Sequence, residues 1–261
     1  MITVSVRRAL AVAATLLLVG GCGGESDASE PGSAGSSAAA APITVFAAAS
    51  LTEAFTQIGK DFEQVAGSTV TFNFGSSATL ATQINSGAPA DVFAAASPAT
   101  MKTVTDAGGA TAPVDFVANT LQIAVPKGNP ARVTGLADFA DESRTIALCA
   151  PQVPCGAAAE KVFAVAGITP RPDTLEQDVK ATLTKVAADE VDAALVYHTD
   201  VIAAAGDVEG IDFPESASAV NTYPIAVLTS SKASSTAQAF VDYVRSPEGQ
   251  AVLAEAGFAK P

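Results

Sequence analysis

The segment ITVFAAASLTEAFTQIGKDFEQV, residues 43–65, joins a short apolar run to an amphipathic stretch. The apolar run from Ile43 to Ala49 predicts a buried strand, and Leu51 to Val65 predict the helix that follows it. The same order recurs downstream, with strands predicted at Thr69–Phe74 and Asp91–Ala96 and helices at Ala78–Asn85 and from Pro98. Strands that alternate with helices are typical of a largely parallel sheet covered by helices on both faces.

The residues after 120 predict a second set of such elements. Strands are predicted at Leu121–Val125, Thr145–Leu148, Ala193–Tyr197 and Asn221–Leu228, and helices at Gly156–Ala166, Asp178–Ala188, Ala233–Val244 and Glu248–Ala256. We interpret this order as an α/β fold of two lobes, each a mixed, mostly parallel sheet flanked by helices. Two hinge strands, near Asn119–Val125 and Asn221–Val227, cross between the lobes. Lobe I then holds residues 43–121 and 225–261, and lobe II holds residues 122–224.

The N-terminus is typical of an export signal. Arg7 and Arg8 precede an apolar run from Ala9 to Val19, which is too short to span a bilayer and is followed by small residues. The sequence LVGGC, residues 18–22, resembles a bacterial lipobox, in which cleavage leaves a lipid-carrying cysteine at the new N-terminus. The alternative is an ordinary signal peptide that ends at a cysteine. We predict a signal peptide at residues 1–21 and an extracytoplasmic protein anchored to the cell membrane by lipid on Cys22.

The segment between Cys22 and the first strand contains Gly, Ser, Ala, Pro and a few acidic residues, with no large apolar side chain. Such a segment cannot bury enough surface to offset the entropy of ordering it. Residues 22–42 are therefore predicted to form a flexible tether with a root-mean-square reach of about 25 Å.

The chain is acidic, and this excludes some partners. Its formal net charge is −13, and loss of Arg7 and Arg8 with the signal takes it to −15. Nucleic acid is excluded, because its binding depends on Lys and Arg that neutralise phosphates. A bound anion must likewise be held by oriented short-range donors rather than by bulk attraction.

Two cysteines remain besides Cys22. An exported protein meets oxidising conditions, so Cys149 and Cys155 are expected to form a disulfide that closes a small loop. Metal ligation is the alternative, and a single histidine without a CxxC motif speaks against it.

Serines stand where the predicted strands end and the helices begin. Ser50 and Glu53 have the spacing of a capping box, Ser76 and Ser77 precede the second helix, and Ser97 precedes Pro98. Ligands of open α/β sheets bind outside the carboxyl ends of the strands, where helix N-termini offer free N–H groups to anions. The serine hydroxyls add neutral donors, so these strand ends predict an anion site. Ser97 considered alone is better explained as a helix cap.

An ordered set of motifs resembles one family, the periplasmic molybdate-binding proteins of ABC-type importers. The motifs are VFAAASL at 45–51, FGSSATL at 74–80, GAPADVF at 87–93, LVY at 195–197 followed by Asp200, YPIAV at 223–227 and AGF at 256–258. The resemblance covers nearly everything from Ile43 to Pro261. It implies the type II periplasmic binding protein fold.

The resemblance also implies a ligand and the residues that hold it. In that family five residues bind a tetrahedral dianion through neutral hydrogen bonds. The implied positions are the hydroxyls of Ser50, Ser77 and Tyr197 and the backbone N–H groups of Cys155 and Val179. The implied ligand is molybdate, with tungstate as a second, and no cofactor or directly ligated metal is expected. The implied partner is an ABC importer permease in the membrane, and the chain is expected to be a monomer.

Two departures from the family pattern stand out. The family often has alanine where this chain has Cys155, but a backbone donor tolerates a change of side chain. The hexapeptide VFAAAS recurs at residues 92–97, although only the first copy matches the family's binding position, so no ligand role is carried to Ser97.

Three alternatives remain open. The chain could bind another tetrahedral oxyanion such as sulfate or phosphate, because cavity size is not readable from sequence. It could be an enzyme in which His198 completes a triad with Ser50 or Ser77, but no GxSxG elbow is present, and we expect no enzymatic activity. It could be a structural surface lipoprotein, which would have no cleft.

Overall fold

The computed structural model describes residues 40–261. The predicted signal peptide, Cys22 and all but the last three residues of the predicted tether lie outside the described residues. Within the described range, no helix combines the length and the apolar character needed to cross a membrane.

The first sheet has five strands. They are β1 (Ile43–Ala48), β2 (Val70–Gly75), β3 (Val92–Ala94), β4 (Val114–Asn119) and β10 (Asn221–Val227), arranged in the order β2-β1-β3-β10-β4. β1 is parallel to β2 and β3, whereas β10 is antiparallel to β3 and β4.

The second sheet repeats this plan. Its strands are β5 (Leu121–Pro126), β6 (Ile146–Cys149), β7 (Thr174–Glu176), β8 (Ala193–Tyr197) and β9 (Val208–Ile211), in the order β7-β6-β8-β5-β9. β6 is parallel to β7 and β8, and β5 is antiparallel to β8 and β9. Both sheets are mixed, as predicted, but the parallel pairings do not predominate, because each sheet joins two parallel pairs to two antiparallel pairs.

Helices flank both sheets. They are α1 (Thr52–Ala66), α2 (Ser77–Asn85), α3 (Pro98–Asp106), α4 (Pro154–Ala166), α5 (Val179–Ala187), α6 (His198–Ala203), α7 (Ser234–Arg245) and α8 (Pro247–Glu255). Short 3-10 turns occupy Ala49–Leu51, Leu136–Ala140 and Pro214–Ala219. The helices α1, α4 and α5 illustrate how the pattern fixes position, since each begins and ends within two residues of its predicted bounds. The short helix α6 was not predicted.

The chain passes from the first sheet to the second at Thr120, between β4 and β5, and returns between β9 and β10. The first passage falls within the predicted hinge. The predicted lobe boundary between residues 224 and 225 falls inside β10. The division of the chain into lobes with those bounds stays a prediction.

The first strand shows why its sequence is apolar without alternation. Successive strand residues point to opposite faces of the sheet. Val45 packs in one core with Phe55 of α1 and Phe240 of α7, while Phe46 packs in another with Leu80 of α2. A sheet that helices cover on both faces needs apolar residues at every position.

Glycine ends two of the helices. α1 stops at Gly67 and α4 stops at Gly167, with φ angles of 63° and 67°. These left-handed conformations cost a side-chain-bearing residue energy, and glycine adopts them freely. The predicted end of α4 at Gly167 is confirmed.

Candidate functional site

A small cavity lies between the two sheets, at the carboxyl ends of the strands. Its walls come from three segments of the first lobe and three of the second: Ala48, Ala49, Ser50, Gly75, Ser76, Ser77 and Ala96, and Val153, Pro154, Cys155, Asp178, Val179 and Tyr197. The centre of a water molecule can move through about 20 Å³ of it. All five residues that the sequence predicted as ligand contacts therefore line one cavity. Their role as contacts stays a prediction.

Three helices begin at this cavity. Ser77 is the first residue of α2, Cys155 the second of α4 and Val179 the first of α5. Backbone N–H groups in the first turn of a helix have no partner inside the helix, and they carry a partial positive charge. The three N-termini thus bring N–H donors from both lobes to one point, which suits an anion.

The cavity wall has no positively charged side chain within the described residues. The wall residues of the described chain include no Lys or Arg, and Asp178 is their one acidic member. The Asp178 carboxylate caps α5, with Oδ1 accepting from the N–H of Ala181 at 2.9 Å. The cavity therefore offers neutral donors without a counter-charge in its wall.

The three predicted hydroxyls are buried and already have neighbours. Ser77 Oγ accepts from the N–H of Ala96 at 3.0 Å, and Tyr197 Oη accepts from Nδ2 of Asn221 at 2.6 Å. Ser50 Oγ lies 2.9 Å from Oη of Tyr223. A hydroxyl that accepts a hydrogen bond keeps its own hydrogen to donate. Ser77 and Tyr197 can therefore both donate to a ligand.

The predicted capping box between Ser50 and Glu53 is wrong. The 3-10 turn Ala49–Leu51 separates β1 from α1, so α1 begins at Thr52 and has no side-chain cap. Both carboxylate oxygens of Glu53 instead accept from Nζ of Lys180 at 2.9 Å. Ser50 is consequently free of the helix end and lines the cavity.

The two other serines at strand ends behave differently from each other. Ser97 Oγ accepts from the N–H of Thr100 at 3.2 Å and caps α3, as its sequence position indicated. Ser76 precedes α2 but does not cap it, and its buried Oγ has no hydrogen-bond partner among residues 40–261. Because Ser76 also lines the cavity, it is a candidate donor that the sequence reasoning passed over. The adjacent serines at 76 and 77 could have indicated that both residues lie at the cavity.

Burial keeps the tyrosines of this region protonated. It raises the pKa of Tyr197 well above its ordinary value, and the nearby Tyr223 and Asp200 act in the same direction. Burial likewise raises the pKa of Tyr223, although the hydrogen bond with Ser50 opposes the shift. Both phenols therefore retain their hydrogens at neutral pH.

A disulfide joins the end of β6 to the start of α4. It links Cys149 to Cys155 with the Cα atoms 5.8 Å apart. The next residue is Gly156, where an added Cβ would lie 1.9 Å from the carbonyl oxygen of Ala150. The loop therefore passes so close to the first turn of α4 that only glycine fits there.

An ion cluster links the two lobes beside the cavity. Lys180 of α5 meets Glu53 of α1, and its Nζ lies 3.1 Å from Oδ1 of Asp200, whose side chain is fully buried. The Lys180–Asp200 contact is an ion pair, and within the described part of the chain that Oδ1 has no partner that meets the geometry of a hydrogen bond. The other oxygen of Asp200 accepts from the N–H of Tyr197 at 3.1 Å.

The members of this cluster shift each other's ionisation. Burial raises the pKa of Asp200 to about 6, even though Lys180 pulls in the opposite direction. Burial alone would lower the pKa of Lys180, but the carboxylates of Asp200 and Glu53 together raise it above its ordinary value.

The one histidine does not join the cavity wall. His198 begins α6, and its Nδ1 lies 3.3 Å from Oε1 of Gln122. It is not among the residues that surround Ser50 and Ser77 in the cavity.

Two α/β lobes with a small cavity between the strand ends define a two-lobed periplasmic binding protein. The chain belongs to the family described as bacterial extracellular solute-binding protein, which it matches over residues 43–259. It is 42% identical over 242 residues to the molybdate-binding protein ModA of Mycobacterium tuberculosis, and the match covers 92% of each chain.

Solved structures agree with the fold. The substrate-binding domain of a putative molybdenum ABC transporter from Clostridium difficile is 26% identical, with a TM-score of 0.64 over 85% of this chain and 100% of its own. The periplasmic molybdate-binding protein of Azotobacter vinelandii has a TM-score of 0.73 over 84% of this chain and 99% of its own, at 21% identity. At 21% identity, the similarity to the Azotobacter vinelandii protein supports the fold only.

Proposed function

We propose that this chain captures molybdate outside the cytoplasm and delivers it to an ABC-type importer. The observation that carries the proposal is the cavity itself, where hydroxyls and helix N-terminal N–H groups from both lobes converge without a Lys or Arg in the described wall. The 42% identity to a molybdate-binding protein supports the choice of ligand.

The proposed contacts are Ser50, Ser77, Cys155, Val179 and Tyr197. The three side-chain hydroxyls and two backbone N–H groups surround the anion, and the lobes close over it to exclude water. Hydrogen bonds to a charged group contribute about 1.5–3 kcal/mol each. A backbone donor can be removed only by proline, which also fixes the φ angle, so the side-chain donors are the cleaner ones to test.

Three finer points belong to the same proposal. Tungstate resembles molybdate in shape and charge, so we propose that it binds as well. The lipobox-like sequence ending at Cys22 supports a lipid anchor to the membrane. The family binds solutes and the chain's single histidine stands outside the cavity wall, which supports a binding role without catalysis.

Titration calorimetry with molybdate, tungstate, sulfate and phosphate tests the ligand. We expect Ser50→Ala and Tyr197→Phe each to weaken molybdate binding by about 10- to 150-fold, because each removes one donor to a charged ligand. Ser97→Ala is the matched control, since Ser97 caps α3 outside the cavity wall, and its affinity should equal that of the wild type.

Unchanged affinity in both Ser50→Ala and Tyr197→Phe would contradict the site. Tighter binding of sulfate or phosphate than of molybdate would favour the other tetrahedral oxyanions as the natural ligands.

A further inference from the structure

We propose that Asn221 and Tyr223 of β10 are positioning residues, which turn the hydroxyl hydrogens of Tyr197 and Ser50 toward the bound anion. The inference rests on the proposed function, because it explains how two donors of that site are held. Neither Asn221 nor Tyr223 lines the cavity, and each lies behind a hydroxyl that does.

The partners of Asn221 fix the direction of its hydrogen bonds. Its amide nitrogen Nδ2 lies 3.0 Å from the carbonyl oxygen of Ala96 and 2.6 Å from Oη of Tyr197. A carbonyl oxygen only accepts, so the atom facing it must be the NH₂ group. One amide hydrogen serves Tyr197 and the other serves Ala96, while the carbonyl oxygen of Pro154 is a more distant acceptor at 3.5 Å. Tyr197 is therefore the acceptor in this pair and keeps its own hydrogen to donate.

A bound anion also fixes which hydroxyl donates in the pair of Tyr223 and Ser50. The two oxygens lie 2.9 Å apart, and each hydroxyl has one hydrogen. An oxyanion accepts hydrogen bonds and donates none, so it takes the hydrogen of Ser50. Tyr223 must then donate to Ser50. A phenol that is buried and stays protonated is suited to that role.

Strand β10 carries both Asn221 and Tyr223 and places them side by side. Asn221 and Tyr223 are two positions apart on β10 and so point to the same side of the sheet, while Thr222 points to the other. β10 is hydrogen-bonded to a neighbour on each side, β3 and β4, which makes it a rigid support. Asn221 also joins Ala96 of the first lobe to Tyr197 of the second. One strand thus orients a donor from each lobe.

Double-mutant cycles test the inference with molybdate as the ligand. Tyr223→Phe keeps the ring that packs edge-on against Phe116 and Phe258 and removes only the hydroxyl. We expect it to weaken binding by about 2- to 12-fold in the wild type. In the Ser50→Ala background it should change the affinity by less than about 2-fold, because the group it positions is gone.

Asn221 is tested in the same way. Asn221→Leu should weaken binding in the wild type and have little effect in the Tyr197→Phe background. Asn221→Asp should weaken binding more than Asn221→Leu, because a carboxylate accepts the hydrogen of Tyr197 and adds a negative charge near the anion. Thr222→Val, on the opposite side of β10, is the control and should bind as the wild type does.

The outcomes separate the two proposals. A wild-type protein that binds none of the oxyanions refutes the proposed function. Suppose that the wild type binds molybdate and that Ser50→Ala weakens this binding. Additive effects in both double-mutant cycles would then refute the positioning role and leave the proposed function intact. Thermal unfolding of the ligand-free variants shows whether each is folded, and if one does not fold, the cycle on the other residue decides.

Discussion

Ser76 and Ser97 each stand directly before a helix, yet their hydroxyls have opposite surroundings. Ser97 Oγ accepts from the N–H of Thr100 in the first turn of α3, whereas the buried Oγ of Ser76 has no hydrogen-bond partner in the described protein. A buried polar group without a hydrogen bond costs stability, while a helix cap adds to it. We therefore expect the same residue type to have opposite effects on the stability of the ligand-free protein.

We predict that Ser76→Ala raises the free energy of unfolding of the ligand-free protein by about 1 kcal/mol. For a chain of this size that corresponds to an increase in Tm of about 2–4 °C. Ser97→Ala is the matched comparison and should lower the free energy of unfolding by about 1 kcal/mol, because it removes a cap. Urea and thermal unfolding measure both, and a loss of stability in Ser76→Ala would contradict the prediction.

Contacts between residues far apart in the chain could not be predicted from the sequence. The serines at the strand ends were visible because a strand, a serine and a helix follow one another along the chain. The partner of Glu53 was not visible, because Lys180 lies 127 residues away and meets it only when the lobes are folded together. The roles of Asn221 and Tyr223 depend on contacts of the same kind.

Among the elements, the start of α4 is constrained in two ways. The disulfide holds its second residue, and the third is Gly156, which the carbonyl oxygen of Ala150 approaches closely. The N–H of Cys155 belongs to the residue that carries the disulfide, and that residue directly precedes Gly156. The loop and the helix end are thus fixed where the second lobe offers a donor.

We predict that Gly156→Ala lowers the free energy of unfolding by about 1–3 kcal/mol, because the new methyl group forces backbone apart. It should also weaken molybdate binding, since the adjacent Cys155 N–H moves. Gly135→Ala is the control: its φ of 174° is extended, and among the described residues no atom beyond Gly135 and its two chain neighbours lies within 4 Å of the added carbon. Equal stability of the two variants in thermal unfolding would contradict the prediction.

The long helices and central strands were predictable because their patterns are local. Apolar residues at helical spacing and Gly67 or Gly167 at the end place α1 and α4 to within two residues. The strands β4, β7 and β9 and the 3-10 turn before α1 were missed. β7 and β9 are too short to carry much pattern, and the pairing of all three strands is decided by neighbours distant in sequence.

At the scale of the whole molecule, the cluster of Glu53, Lys180 and Asp200 ties the lobes together and makes stability depend on pH. The pKa of Asp200 is about 6 in the folded protein, above its ordinary value of 3.8. Between these values the folded state binds more protons at this carboxyl than the unfolded state does. The contribution of Asp200 to stability therefore falls as the pH rises from about 4 to 6 and is level above that range.

We predict that Asp200→Asn removes this contribution, which amounts to about 3 kcal/mol across the window. The Tm difference between variant and wild type should move in favour of the variant from pH 4 to pH 6 and then stay constant. Lys180→Met, which removes the opposing charge, should extend the window above pH 6. Thermal unfolding of ligand-free protein from pH 4 to pH 8 measures both, and a difference that does not vary with pH would contradict the assignment.

The bond between Cys149 and Cys155 also has a consequence for the timing of maturation. Thiols stay reduced in the cytosol of most bacteria and pair only after export. A newly synthesised chain therefore lacks the covalent brace at the start of α4 for as long as it remains inside the cell. The brace is added only outside the cytosol, so the start of α4 reaches its braced form after export.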